Sequence, residues 1–188
     1  MNQVLATPID DLRREHANMR SVLMLISNQL DKLERMGVAE YVLLANALYY
    51  MRKFPGRVHH PKEDMIFQRL EEMDPSWKTE VERVRAQHAE IYALEDELIE
   101  RALDNPEPGS EACAELVQHG RRYLQLQRQH SESEERLLFP QALGVLQARD
   151  WASIRARIKQ VDDPLFGNHG GGRYRLLYEQ IMRDAEDT

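Results

Sequence analysis

The sequence is poor in most of what thiol, membrane or nucleic-acid chemistry requires. Cys113 is the single cysteine among 188 residues, and alone it makes no internal disulfide, Cys₄ zinc site or iron–sulfur cluster. No apolar run approaches the ~20 residues that span a bilayer. Met1 to Glu15 is charged at Asp10 and has no apolar stretch of its own, so a secretory signal is not expected. Basic charge is in deficit as well: 25 Lys and Arg face 32 Asp and Glu, a formal net charge of −7. Phosphate contacts need clustered Lys and Arg, so neither nucleic acid nor an anionic membrane is an expected partner. Aromatic residues are only 7% of the chain, and no segment alternates with the period of a strand. A reduced, cytoplasmic, soluble protein is the expectation.

What the chain does have is helical periodicity and seven histidines. From Ile9 the apolar positions run Leu12, Met19, Leu23, Ile26, Leu30 and Leu33, in steps of three and four. Pro8 and Asp10 suit a helix start, and Gly37 suits its C-terminal cap. A second helix is expected over 39–73, kinked or broken at Pro55-Gly56 and disturbed again at Pro61. A third is expected over 76–103. The turn-rich segment 104–110 ends in Ser110, an N-cap candidate for a fourth helix from Glu111 to Phe139 or beyond. Asp150 could cap a short helix from Trp151 to Val161. Residues 162–172 read as a loop, and 173–184 as a last helix.

The expected class is therefore all-α: an up-down-up-down four-helix bundle over residues 1–145 and a C-terminal helical appendage over 146–188. Trp151, Ile154 and Ile158 of the appendage could pack on the bundle or form a homodimer contact.

Each of the four helices puts a histidine on its apolar stripe: His16, His59, His88 and His130. Two of them are followed four residues later by a glutamate on the same face, Glu63 and Glu134. A lone inward histidine is usually a hydrogen-bonded core residue. Four, with two matched carboxylates, would cost several kcal/mol to bury without partners, and a metal removes that cost. Height gives a second test. At ~1.5 Å per residue, His16 and His88 stand ~12–21 Å from the start of their helices, and His59 and His130 as far from the end of theirs. In an up-down-up-down bundle these ends lie on one side, so the four converge at one level.

Imidazole with bridging carboxylate suits iron, manganese or zinc better than calcium or magnesium. Two facing HxxxE pairs point to a two-metal site with bridging glutamates. A ferritin-like site would need Glu three residues before a histidine, and no histidine here has one.

At this point the chain resembles a known family. The ordered motif His16, then His59-His60-Pro61-Lys62-Glu63-Asp64, then His88, then His130-Ser131-Glu132-Ser133-Glu134-Glu135 is similar to the hemerythrin-like, HHE cation-binding domain, over about residues 8–145. The resemblance implies a non-haem di-iron centre (two Fe ions) in a four-helix core, able to bind dioxygen or react with nitric oxide and oxidants. It would place one iron on His16 and His59 and the other on His88 and His130, bridged by Glu63 and Glu134. The same ligand set can take Zn or Mn.

The chain also departs from the oxygen-carrying pattern. Carriers have a second histidine four residues after that of the third helix, where this chain has Tyr92. Their second bridging carboxylate is commonly an Asp at spacing five, whereas here Glu134 stands at four and Glu135 at five. Tyr92 could be a phenolate ligand, a neighbour of the ligands or packing. A more open metal favours sensing, storage or redox chemistry over reversible carriage.

His60 and Asp64 repeat the HxxxD/E spacing one residue on, so a register shift is an alternative. The stripe through His59, Glu63, Ile66 and Leu70 argues against it and leaves His60 as an alternate ligand, a neighbour of the ligands or a solvent-exposed residue. Glu95 is expected to pair with an Arg, and Tyr123 and the methionines Met19, Met24 and Met65 to fill the core. His119 and His169 read as bystanders. Two functions follow from the resemblance: binding or sensing of O2, NO or redox state, or alternatively an enzyme that disposes of peroxide or NO or assists iron-centre repair.

Overall fold

The computed structural model describes residues 7–159, 161–167 and 174–186, and among them every regular element is a helix. Helix α1 spans Pro8–Met36. The Thr7 backbone N–H donates to Asp10 at 2.6 Å, and Pro8 occupies the first turn, where its missing N–H is not needed. Gly37 ends the helix at φ +67°, a left-handed conformation that a side chain would strain, and its N–H donates to the Leu33 carbonyl.

Helix α2 (Tyr41–Phe54) does not break at Pro55. It runs through one π turn, Pro55–His59, into α3 (His60–Met73). The His60 N–H donates to the Pro55 carbonyl five residues back, closing the wider ring of a π turn. The same device recurs where α5 (Glu111–Ser133) passes through a π turn, Glu134–Leu138, into α6 (Phe139–Val145), with the Phe139 N–H on the Glu134 carbonyl. Each π turn is followed by a proline, Pro61 or Pro140. The local rearrangement absorbs the carbonyl clash and lost donor that a proline brings to a regular helix.

Between these stretches lies α4 (Lys78–Leu103), which follows a short 3₁₀ turn capped by Asp74. Ser110 caps α5 by accepting from the Cys113 N–H, as its sequence position suggests. Helix α1 packs on α2 and α5, and α4 packs on the same two.

Two apolar clusters fill the interior. One contains Met19, Leu30, Met51, Ile91 and Leu126; the other contains Leu12, Ile66, Val84, Leu138 and Phe139. On each long helical stretch a histidine stands between members of the two: His16 between Leu12 and Met19, His59 between Val58 and Ile66, His88 between Val84 and Ile91, His130 between Leu126 and Leu138. A buried polar layer therefore separates two hydrophobic cores. Met24 is not core filling; it is 47% exposed.

The described C-terminal segment packs on these helices. Helix α7 is Ala148–Arg157, not 151–161. Gln147 is its N-cap, and Asp150 lies inside the first turn, accepting from the Gln147 N–H and from Arg69. Ile154 is buried in the second cluster, with Trp151 and Ile158 partly buried against it. Tyr50 donates to Asp163 at 2.9 Å, and Leu165 and Ile181 are buried in the first cluster. Helix α8 is Arg175–Glu186.

Candidate metal centre

The polar layer gathers His16 from α1, His59 from the first π turn, His60 and Glu63 from α3, His88 from α4, His130 from α5 and Glu134 from the second π turn. All seven are buried. Each carboxylate turns one oxygen to each half of the layer. Glu63 Oε1 is 2.9 Å from His59 Nε2 and 3.4 Å from His16 Nε2, while its Oε2 is 3.6 Å from His88 Nε2. Glu134 Oε2 is 3.4 Å from His16 Nε2, and its Oε1 is 3.3 Å from His130 Nε2 and 3.9 Å from His88 Nε2. None of these five Nε2 atoms, His60 Nε2 included, and none of the four oxygens has a hydrogen-bond partner. Buried polar atoms are seldom left so. Potential ligand atoms from His60, Glu63, His88 and His130 lie within 4.8 Å of one another, as do those from His16, His59 and Glu63. A donor set of imidazoles around two carboxylates suits a transition metal, and the orphaned atoms fit one.

The outer ring nitrogens are directed elsewhere. His16 Nδ1 is 3.0 Å from Glu135, His59 Nδ1 is 2.8 Å from Glu15, His60 Nδ1 is 2.6 Å from the Tyr92 hydroxyl and His130 Nδ1 is 3.4 Å from Gln87. His88 Nδ1 approaches Asp64 at 3.8 Å. Such contacts fix the tautomer that leaves Nε2 free for an ion. Glu15 and Glu135 have cations of their own, Lys62 and Arg13. Glu15, Gln87 and Lys62 escape a periodicity reading because they lie off the apolar stripes. Their only signal is adjacency to a candidate ligand, Glu15 before His16, Gln87 before His88 and Lys62 before Glu63.

His60 therefore joins the layer together with His59. The π turn adds one residue to the helical turn, so consecutive histidines both face inward, and Phe67 and Leu70 below them are both buried. In the second π turn the same extra residue buries Leu138 and leaves Leu137 46% exposed, the reverse of the regular stripe. Tyr92 lies outside the layer and touches it through His60. A Cβ on Gly56 would come 3.1 Å from the Tyr92 ring, so the glycine makes room for the phenol. The Arg52 guanidinium, paired with Asp96, lies over the ring at 4.8 Å from its centre. Burial raises the Tyr92 pKa, so its hydroxyl is a neutral phenol.

Charge and burial compete across the layer. Burial opposes a charged His16, but Glu134, Glu135 and Glu63 outweigh it and hold its pKa well above 6.5. At His88 burial again opposes, and Glu134 and Glu63 prevail, to about 9. His59 is raised against its burial by Glu63 and Glu15. His60 is driven well down by burial and by His88, and His130 is lowered chiefly by burial. Glu63 stays ionised against its burial because His59 and His16 face it. Protons on some imidazoles thus balance the two buried carboxylates, the role that a cation would take.

Among the described residues no Arg contacts Glu95. It is fully buried, accepts from Tyr123 at 2.9 Å and lies 3.5 Å from Gln127, and burial pushes its pKa up to about 8. Tyr123 is core packing with this polar contact. His119 pairs with Glu97 at 2.9 Å, away from the layer. His169 lies outside the described residues. A cleft of about 570 Å³ opens beside Glu15 and Lys62, lined also by Arg14, Phe54, Asp163 and Phe166. No described helix is long and apolar enough to cross a membrane.

Comparison with known proteins agrees with the geometry. The family model described as hemerythrin HHE cation binding domain matches residues 7–142. No curated protein and no solved structure matches the chain.

Proposed function

We propose, from the premise that this chain belongs to the hemerythrin HHE cation-binding family, that it is a non-haem di-iron protein which binds or senses dioxygen, nitric oxide or redox state. One observation carries the proposal: two buried carboxylates each divide their oxygens between two sets of orphaned imidazoles. Two ions sharing both carboxylates would satisfy every orphaned atom of the layer. The frame is an up-down four-helix bundle with a C-terminal helical appendage, and the setting is cytoplasmic.

In this reading His16 and His59 would hold one ion, and His60, His88 and His130 the other, with Glu63 and Glu134 available to both. His60 takes the place that the resemblance left open at Tyr92, which instead holds the His60 ring. Iron, when bound, supplies one-electron redox chemistry and affinity for diatomic ligands. The chain's residues do the rest. Glu15, Glu135, Tyr92 and Gln87 hold the ring orientations through the outer nitrogens, and the two apolar clusters keep bulk water from the layer.

Metal analysis of protein loaded with ferrous iron, with a visible spectrum, is the test. About two irons per chain and an oxo-bridged absorption are expected. A chain that takes up no metal, and whose His16→Ala and His130→Ala variants are as stable as the parent, would refute the reading. Steady-state consumption of peroxide or nitric oxide by the loaded protein would place it among enzymes instead.

A further inference from the structure

The two halves of the layer differ in what holds their outer nitrogens. Both histidines of the first half donate to carboxylates: His59 to Glu15 at 2.8 Å and His16 to Glu135 at 3.0 Å. In the second half the acceptors within hydrogen-bond reach are uncharged. They are the Tyr92 hydroxyl on His60 at 2.6 Å and the Gln87 amide on His130 at 3.4 Å. Asp64 stands 3.8 Å from His88 Nδ1, beyond a hydrogen bond, and 3.8 Å from Arg85.

The contrast has a direct electronic consequence. An imidazole whose N–H is shared with a carboxylate carries more negative charge at its other nitrogen than one facing a phenol or an amide. More donation favours the higher charge on a bound ion. Lys62 and Arg13 are in direct contact with Glu15 and Glu135 and offset part of their charge, each through the carboxylate oxygen that the imidazole does not use. They leave the carboxylate as the nearest group to the imidazole proton.

We infer that Glu15 and Glu135 are positioning residues that make the centre electronically unequal, so that the ion on the His16–His59 side is the more easily oxidised. This rests on the di-iron reading above. A one-electron oxidant takes its electron from that side first, and the other ion stays reduced. The Nδ1 protons remain shared with Glu15 and Glu135, so no proton need leave with the electron. The half-oxidised state is thereby favoured over an equal mixture of fully oxidised and fully reduced centres.

The experiment is a stepwise oxidation of the diferrous protein with ferricyanide, scoring the mixed-valent state by EPR and Mössbauer spectroscopy and counting irons in each sample. Replacing both acids, Glu15→Gln with Glu135→Gln, is expected to lower the comproportionation constant by about tenfold or more. That corresponds to about 59 mV less separation between the two one-electron steps. Glu135→Gln alone, at a half-buried position, should give part of the effect if the pair folds poorly. Tyr92→Phe removes the acceptor from the His60 ring and should widen the separation; a narrower one would count against the inference. Two irons per chain with an unchanged separation in the acid-to-amide variants would overturn the inference and leave the di-iron reading standing. Absence of iron from the parent would instead remove the reading itself.

Discussion

At the scale of single residues, buried polar groups divide into those with a partner and those waiting for one. Glu95 belongs to neither set cleanly: one oxygen accepts from Tyr123, while the other has no partner. Burial raises its pKa from 4.5 to about 8 in the folded chain. A carboxyl raised on folding takes up protons when the chain folds. Its favourable contribution is therefore complete below about pH 4.5 and is lost as pH rises through 8. Glu95→Gln, which mimics the neutral acid, should flatten that loss. Denaturant titrations at pH 6 and 9 should show the variant gaining on the order of 2–4 kcal/mol relative to the parent between the two; parallel pH profiles would refute the neutral-acid assignment.

The sequence identifies Glu95 as inward-facing but not its partner. Which residue faces it depends on the rotation of α4 against α5, and periodicity within one helix carries no information about that. The outer partners Glu15 and Gln87 stay hidden for another reason: they lie off the apolar stripes. The convergence of His16, His59, His88 and His130 was legible because each sits on its own apolar stripe at a matching distance from a helix end.

At the scale of elements, the two π turns are what a reading by regular period misses. Proline at 55 and 61 suggested a kink or break, yet the helix persists, because widening one turn disposes of the clash and the missing donor without ending it. The extra residue shifts everything after it by ~100°, so Leu138 rather than Leu137 faces the core and His60 joins His59. Deleting Gly56 should restore a regular turn and rotate the histidine pair against Glu63's neighbours. Helix content by circular dichroism is expected to persist while bound metal falls, on the proposed two-ion reading, from about two ions per chain to one or fewer. Retention of both ions would show that the π turn does not set the register of the layer.

At the scale of the whole molecule, the polar layer has a consequence for how the fold comes apart. Every long helical stretch crosses it, and the apolar clusters on its two sides have no side chain in common. Cooperative unfolding depends on contacts that propagate from one part of a core to the next. Without metal, that propagation must pass through buried imidazoles and carboxylates balanced by protons. With metal bound as proposed, it would pass through ligand bonds that tie the crossing helices together. Amide hydrogen exchange should then show two protection classes in metal-free protein. One comprises amides around Leu30, Met51 and Ile91, the other those around Leu12, Ile66 and Val84. The classes should merge into a single slower class when metal is bound. On this account the ions decide whether the chain behaves as one cooperative unit or two.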